Sequence, residues 1–142
     1  DNSFFSNSIS TMDIVIAKPK TVTTSSTQWC RNQIIITQVI EGAQYQCEHD
    51  PAHMTFIARS TGQAYMEGHH LIPMKYQSQF DCGIDVYANV VCLCPTCHRL
   101  LHFGRDPERC YAVEQLFDLR SERLIHSGID LSKKDFLELV LA

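Results

Sequence analysis

The sequence contains no run of about 18 apolar residues, so none of its helices is expected to cross a membrane. Its start, Asp1 to Ser10, lacks the basic stretch followed by an apolar one that marks an export signal, which makes a reducing cytoplasm the expected setting. An excess of positive charge is missing too. The net charge is −4 at pH 7, which counts against an autonomous high-affinity nucleic-acid binder, because such affinity rests on neutralising phosphates with Lys and Arg. The deficit is uneven: residues 1–58 sum to −2 and residues 106–142 to −3, whereas residues 59–105 sum to +1. No internal repeat is present. A length of 142 residues fits one domain, or one compact domain with an arm.

Cysteine, by contrast, is abundant. Seven cysteines in a reducing compartment point to metal ligands or buried thiols, and the odd count fits a disulfide framework poorly. Along the chain, residues 1–28 hold thirteen Ser, Thr or Asn and read as a linker or N-terminal arm, leaving 29–142 as the folded unit. Apolar positions Trp29, Ile35, Ile36, Val39, Ile40 and Ala43 recur with helical spacing from Gln28 to about Tyr45, although three consecutive Ile also suit a strand. A polar knuckle, Cys47 to His53, follows. The turn signal Ser60-Thr-Gly-Gln63 then separates two short apolar segments and predicts a hairpin. Val90 to Leu93 reads as a strand, and Pro95 and Gly104 bracket a short helix. Two closing helices are expected within 107–142, over Glu108 to Arg123 and over Lys133 to Leu141 with Ser132 as N-cap. Trp29, the isoleucines and the aromatics of the closing helices are expected in the core. The fold class is α+β.

The chemistry concentrates between Glu67 and Gly104. His98 and His102 stand four positions apart on a short helix, so both imidazoles point to one side and can chelate a cation. His69, on a neighbouring strand, is placed as third ligand, leaving positions open for water and substrate. Adjacent strand residues face opposite ways, so His70 is free for another task, that of general base, for which imidazole suits because its unperturbed pKa of about 6.5 lies close to working pH. Asn89, at the mouth of the second strand, is positioned to tie the loop after Pro73 to the hairpin and hold His70 in line. Lys75, Arg99 and Arg105 are candidate phosphate clamps. A separate structural zinc is expected at Cys94 and Cys97, a knuckle spacing, completed by Cys47 and His53, with His49 and Cys92 as alternatives for the fourth position.

Competing readings are weaker. Cys94-Pro-Thr-Cys97-His98 matches a covalent haem motif, but that leaves His69, His70 and His102 without a task, as does a redox Cys pair. A zinc deaminase needs His-x-Glu, and the order here is Glu67-Gly-His69. His126 and His49 read as ordinary polar residues, and Cys30, Cys82 and Cys110 as buried or idle thiols.

From Cys47 to Gly104 the chain resembles the HNH family of ββα-metal nucleases. His69-His70-Leu-Ile-Pro73 looks like the family's first motif, Asn89 like its central Asn, and Cys94-Pro-Thr-Cys97-His98 with His102 like its closing motif. The resemblance implies a small zinc-stapled ββα-metal core over about 64–104. In it His69, His98 and His102 would bind one catalytic divalent cation (Mg, Mn, Ni or Zn), and His70 would be the base. Many members carry Asp where His69 stands; the His-His form is similar to colicin-type DNases and to some McrA-like restriction endonucleases, and the tail from Arg120 to Leu131 also looks like that of McrA-like proteins. The implied activity is metal-dependent cleavage of DNA in restriction or phage defence, with a separate target-recognition domain in a longer chain and a homodimer for double-strand cuts. A non-catalytic zinc module binding DNA or a protein is the alternative from another class.

Overall fold

A computed structural model describes residues 13–141 of the chain. The arm expected over 1–28 falls partly outside them; its remainder, 13–28, carries neither helix nor strand and is exposed. The first helix, α1, spans Gln33–Gly42. Asn32 caps it by accepting a hydrogen bond from the Ile34 N–H at 3.0 Å, satisfying a donor that would otherwise lack a partner. That cap places the helix start several residues later than the Gln28 expected from periodicity. Trp29 therefore precedes the helix and is 52% exposed instead of contributing to the core. The Ile run is helical, so its three residues cannot all face inward: Ile34 is exposed, while Ile35, Ile36 and Ile40 pack against buried neighbours. Two consecutive left-handed residues, Gln44 and Tyr45 (φ 56° and 57°), end α1 and turn the chain towards buried Cys47.

The expected turn at Ser60–Gln63 closes a tight hairpin held by a single antiparallel bridge, Ile57 to Ala64, with Gly62 in the left-handed region at φ 71°. The sheet proper has two antiparallel strands, β1 (Glu67–His70) and β2 (Val90–Leu93), with Glu67 opposite Leu93 and His70 opposite Val90. All four β2 residues are completely buried, as expected of a strand covered on both faces. Helices follow at Pro95–Phe103 (α2), Glu108–His126 (α3) and Lys133–Leu141 (α4). Gly104 is the C-cap of α2, a position where a Cβ would meet the Leu100 carbonyl oxygen at 2.6 Å. The molecule is a small α+β assembly. Among the described residues no helix is long and apolar enough to cross a membrane.

Alternation along β1 decides what each residue meets. A Cβ on Gly68 would approach Ile36 of α1 to 2.6 Å, so glycine permits α1 to lie against that face. Glu67, on the opposite face, reaches His98 of α2. Behind the sheet, α3 buries Ala112, Val113, Leu116, Phe117 and Leu124 at helical spacing, and Phe117 stacks on Phe136 of α4 with ring centroids 4.6 Å apart. The same stripe carries Arg120, which is 6% exposed. Its guanidinium donates to Glu48 Oε1 at 2.6 Å, while Glu48 Oε2 accepts from the Cys92 N–H at 2.6 Å. This ion pair links α3 to β2 through the segment that carries Cys47.

Removing one member of a buried pair leaves the other charged and unpaired, which costs about 3–5 kcal/mol, whereas replacing both with apolar groups is far milder. We expect Glu48→Gln to destabilise by about 3 kcal/mol in urea unfolding. Glu48→Gln combined with Arg120→Leu should recover a substantial part of that loss.

Candidate active site

Two groups of metal-ligating side chains form, each drawn from separate elements. In the first, the donor atoms of Cys47, His53, Cys94 and Cys97 all lie within 4.8 Å of one another. Cys94 is the N-cap of α2 and accepts from the Cys97 N–H at 3.4 Å, which sets the two sulfurs side by side. His53 Nδ1 lies 3.2 Å from the Cys97 sulfur and 3.5 Å from that of Cys94, and Asp50 holds its Nε2 at 3.2 Å. Burial first, then the adjacent Cys94 and Cys47, raises the Cys97 thiol well above its ordinary range. Such crowding opposes thiolate formation unless a cation is shared. Three sulfurs and one imidazole are the soft, four-donor set that suits structural zinc. The alternatives for the fourth position lie elsewhere: His49 bonds Gln115 of α3, and Cys92 is outside the group, its thiol pushed up to about 12 by burial and by the Glu48 charge.

The second group is His69, His98 and His102, again with donor atoms within 4.8 Å of one another. The Nε2 atoms of His98 and His102 face each other at 3.2 Å. Glu67 Oε1 lies 2.9 Å from His98 Nδ1. With the proton on Nδ1 in that bond, the Nε2 lone pair is left pointing at the shared centre. Burial works to raise the Glu67 pKa, but hydrogen bonds from His98 and Tyr65 outweigh it and hold Glu67 below the usual range. Burial, followed by the charges of His98, His102 and His70, pushes His69 down to about 3. Burial and neighbouring cationic groups lower His102 as well. The imidazoles of His69 and His102 are thus biased to the neutral form that ligates, and with His98 they offer three nitrogens that fit a divalent cation with coordination positions to spare.

His70 projects from the other face of β1. Its Nε2 lies 2.8 Å from Asp85 Oδ1, and both side chains are largely buried. Donating Nε2–H to that carboxylate leaves the lone pair on Nδ1. The second oxygen of Asp85 accepts the Asn32 N–H at 2.7 Å. Asn89 is fully buried and spans the two ends of the loop. Its Oδ1 accepts the Ile72 N–H at 2.9 Å, and its amide donates to Ile72 O at 3.0 Å and Ile84 O at 2.9 Å. It therefore sets both the segment after His70 and the residue before Asp85.

A recess of about 320 Å³ opens where β1 ends, lined by Arg31, His69, His70, Lys75, His98 and His102 among others. Of the expected clamps, Lys75 faces it. Arg99 lies over the Phe103 ring, 5.7 Å from its centroid, beside an adjoining recess, and exposed Arg105 lines neither. Sequence reading missed Asp85, Glu67 and Arg31. Glu67 shares strand parity with His69, a usable signal, but nothing in the spacing distinguishes Asp85 or Arg31. Cys30, Cys82 and Cys110 stand outside both groups.

The Cys-rich group makes a direct prediction. Purified protein should carry zinc, and Cys94→Ala should lose it and unfold at lower temperature, as read by native mass spectrometry and calorimetry. Full zinc retention with an unchanged transition in that variant would contradict the assignment.

Residues 38–105 match the family model described as HNH endonuclease. Over 100 residues the chain is 28% identical to the type IV methyl-directed restriction enzyme EcoKMcrA of Escherichia coli (strain K12), an alignment covering 70% of this chain and 33% of that protein. The chain thus spans about a third of the length of that relative. The matched segment holds both donor groups together with His70, Asp85 and Asn89. The sequence match thus places an HNH endonuclease domain at residues 38–105 of this chain.

Proposed function

We propose that this chain is the nuclease part of a restriction-type DNA endonuclease and hydrolyses phosphodiester bonds at the recess beside His69. The observation that carries this reading is the convergence of His69, His98 and His102 on the recess that His70 also lines. Three ligands that leave open positions, beside an imidazole with a free nitrogen, make a hydrolytic site; a structural centre saturates its ligands.

His69, His98 and His102 would hold a divalent cation (Mg, Mn, Ni or Zn), which would supply Lewis-acid charge for the phosphate and the departing 3′ oxygen. His70 Nδ1 takes the proton of the attacking water. Asp85 keeps His70 in the required tautomer and stabilises the imidazolium that forms, as an acceptor on the far nitrogen does. Asn89 acts through the backbone, fixing the loop ends that carry His70 and Asp85. Lys75 adds positive charge at the mouth.

The relative is named as methyl-directed, which favours a DNA target with modified bases, read by a separate domain of a longer protein. Cutting both strands would use two such sites, and hence a homodimer. A non-catalytic zinc module requires only Cys47, His53, Cys94 and Cys97, and gives no task to the His trio or the His70–Asp85 pair.

Nicking of supercoiled plasmid in Mg²⁺, Mn²⁺ or Ni²⁺ tests this. His70→Ala should lower the rate about 10²-fold or more. Asp85→Asn should lower it about 10- to 100-fold with the fold intact by circular dichroism. Wild-type protein as inert as His70→Ala with every metal, on modified and unmodified DNA, would end the nuclease reading.

A further inference from the structure

We propose that Arg31, which lies outside the matched HNH segment, binds a phosphate of the DNA strand in the recess, and that Asp85 fixes it there. The proposal rests on the nuclease reading for its substrate. Arg31 lines the same recess as His69, His70, Lys75, His98 and His102. It makes no ion pair among the described residues. No Asp or Glu lines that recess. Two cations without a carboxylate among the lining residues form a positive pocket for an anion. The guanidinium fork suits a phosphate because it can donate two parallel hydrogen bonds to its oxygens.

The placement of Arg31 is structural rather than accidental. Residues 13–30 form no helix or strand, but the residue after Arg31 is anchored twice. Asn32 gives its N–H to Asp85 Oδ2 at 2.7 Å, and its side chain accepts the Ile34 N–H to cap α1. The opposite oxygen of Asp85 takes His70 Nε2 at 2.8 Å. One carboxylate thus sets the base and, one residue away, the start of the backbone that presents Arg31. A phosphate gripped by Arg31 and Lys75 is held in the recess that His70 lines, the alignment that attack on phosphorus demands.

The test separates this contact from catalysis. In a His70→Ala background with no divalent cation added, so that the DNA stays uncut, binding to a short duplex is followed by fluorescence anisotropy across a salt series. Loss of one phosphate contact should flatten the slope of log K against log salt by about 0.9. We expect that change for Arg31→Ala, a smaller one for Arg31→Lys, and none for Arg59→Ala, which alters an arginine in the Ile57–Ala64 hairpin turn away from the recess. On the otherwise native protein, Arg31→Ala should also reduce nicking about 10- to 100-fold. An unchanged salt slope for Arg31→Ala overturns the proposal even if the nicking rate falls, since Arg31 would then act on something other than a phosphate. A flattened slope together with inert wild-type protein would sustain the contact and overturn the nuclease reading instead.

Discussion

The buried carboxamide of Asn89 is the constraint on which the site depends. It meets Ile72 through both its N–H and its carbonyl, and Ile84 through its carbonyl. The intervening loop is thereby returned to the sheet at a fixed point, and no other side chain among the described residues bonds both of these backbone stretches. Each bond lies in a fully buried setting, where an unmade hydrogen bond is expensive. Because His70 precedes one clamped stretch and Asp85 follows the other, closing the loop also closes the pair of side chains that meets at 2.8 Å. Glycine or alanine in place of Asn89 would leave three backbone groups without partners as well as a cavity.

A second constraint comes from the two-residue repeat of an extended strand. β1 is only four residues long, yet it presents Glu67 and His69 to α2 and gives Gly68 and His70 to the side covered by α1. The ligands and their orienting carboxylate thereby fall on one face, and the His70–Asp85 pair on the other. Both come within reach of a single recess because it lies at the strand's end, where the two faces meet solvent. Buried β2 behind it, locked by Glu48 and Arg120, keeps that short strand from shifting register, and a one-residue slip would exchange the two faces.

Much of this was legible in the sequence, and the reasons are local. His98 and His102 share a helix face, Cys94 and Cys97 share a helix start, and Pro95 and Gly104 bracket that helix; such relations are fixed by backbone geometry over a few residues. The structure brings these pairs together with His69 and with Cys47 and His53. What was not legible depends on chain reversal over long separations. Asp85 meets His70 across 15 residues and Asn32 across 53, and Arg120 meets Glu48 across 72. Trp29 was misread for a related reason: periodicity carries no boundary, and the helix starts where Asn32 finds a partner for Ile34. An apolar residue upstream of that cap has no face to join.

The distribution of charge bears on how such a site would be used. The acidity lies on the segments flanking residues 59–105, and the recess itself presents two cations without a lining carboxylate. A pair of phosphate contacts contributes too little salt-dependent affinity to hold a duplex tightly, since tight binders neutralise many more phosphates. On the proposed reading the recess therefore positions a phosphate already delivered to it, while delivery falls to another part of a longer protein or to a second copy. Weak intrinsic affinity is then an advantage. A hydrolytic site that bound any duplex tightly would cut without regard to what its partner domain had read, and separating affinity from chemistry makes cleavage conditional on recognition.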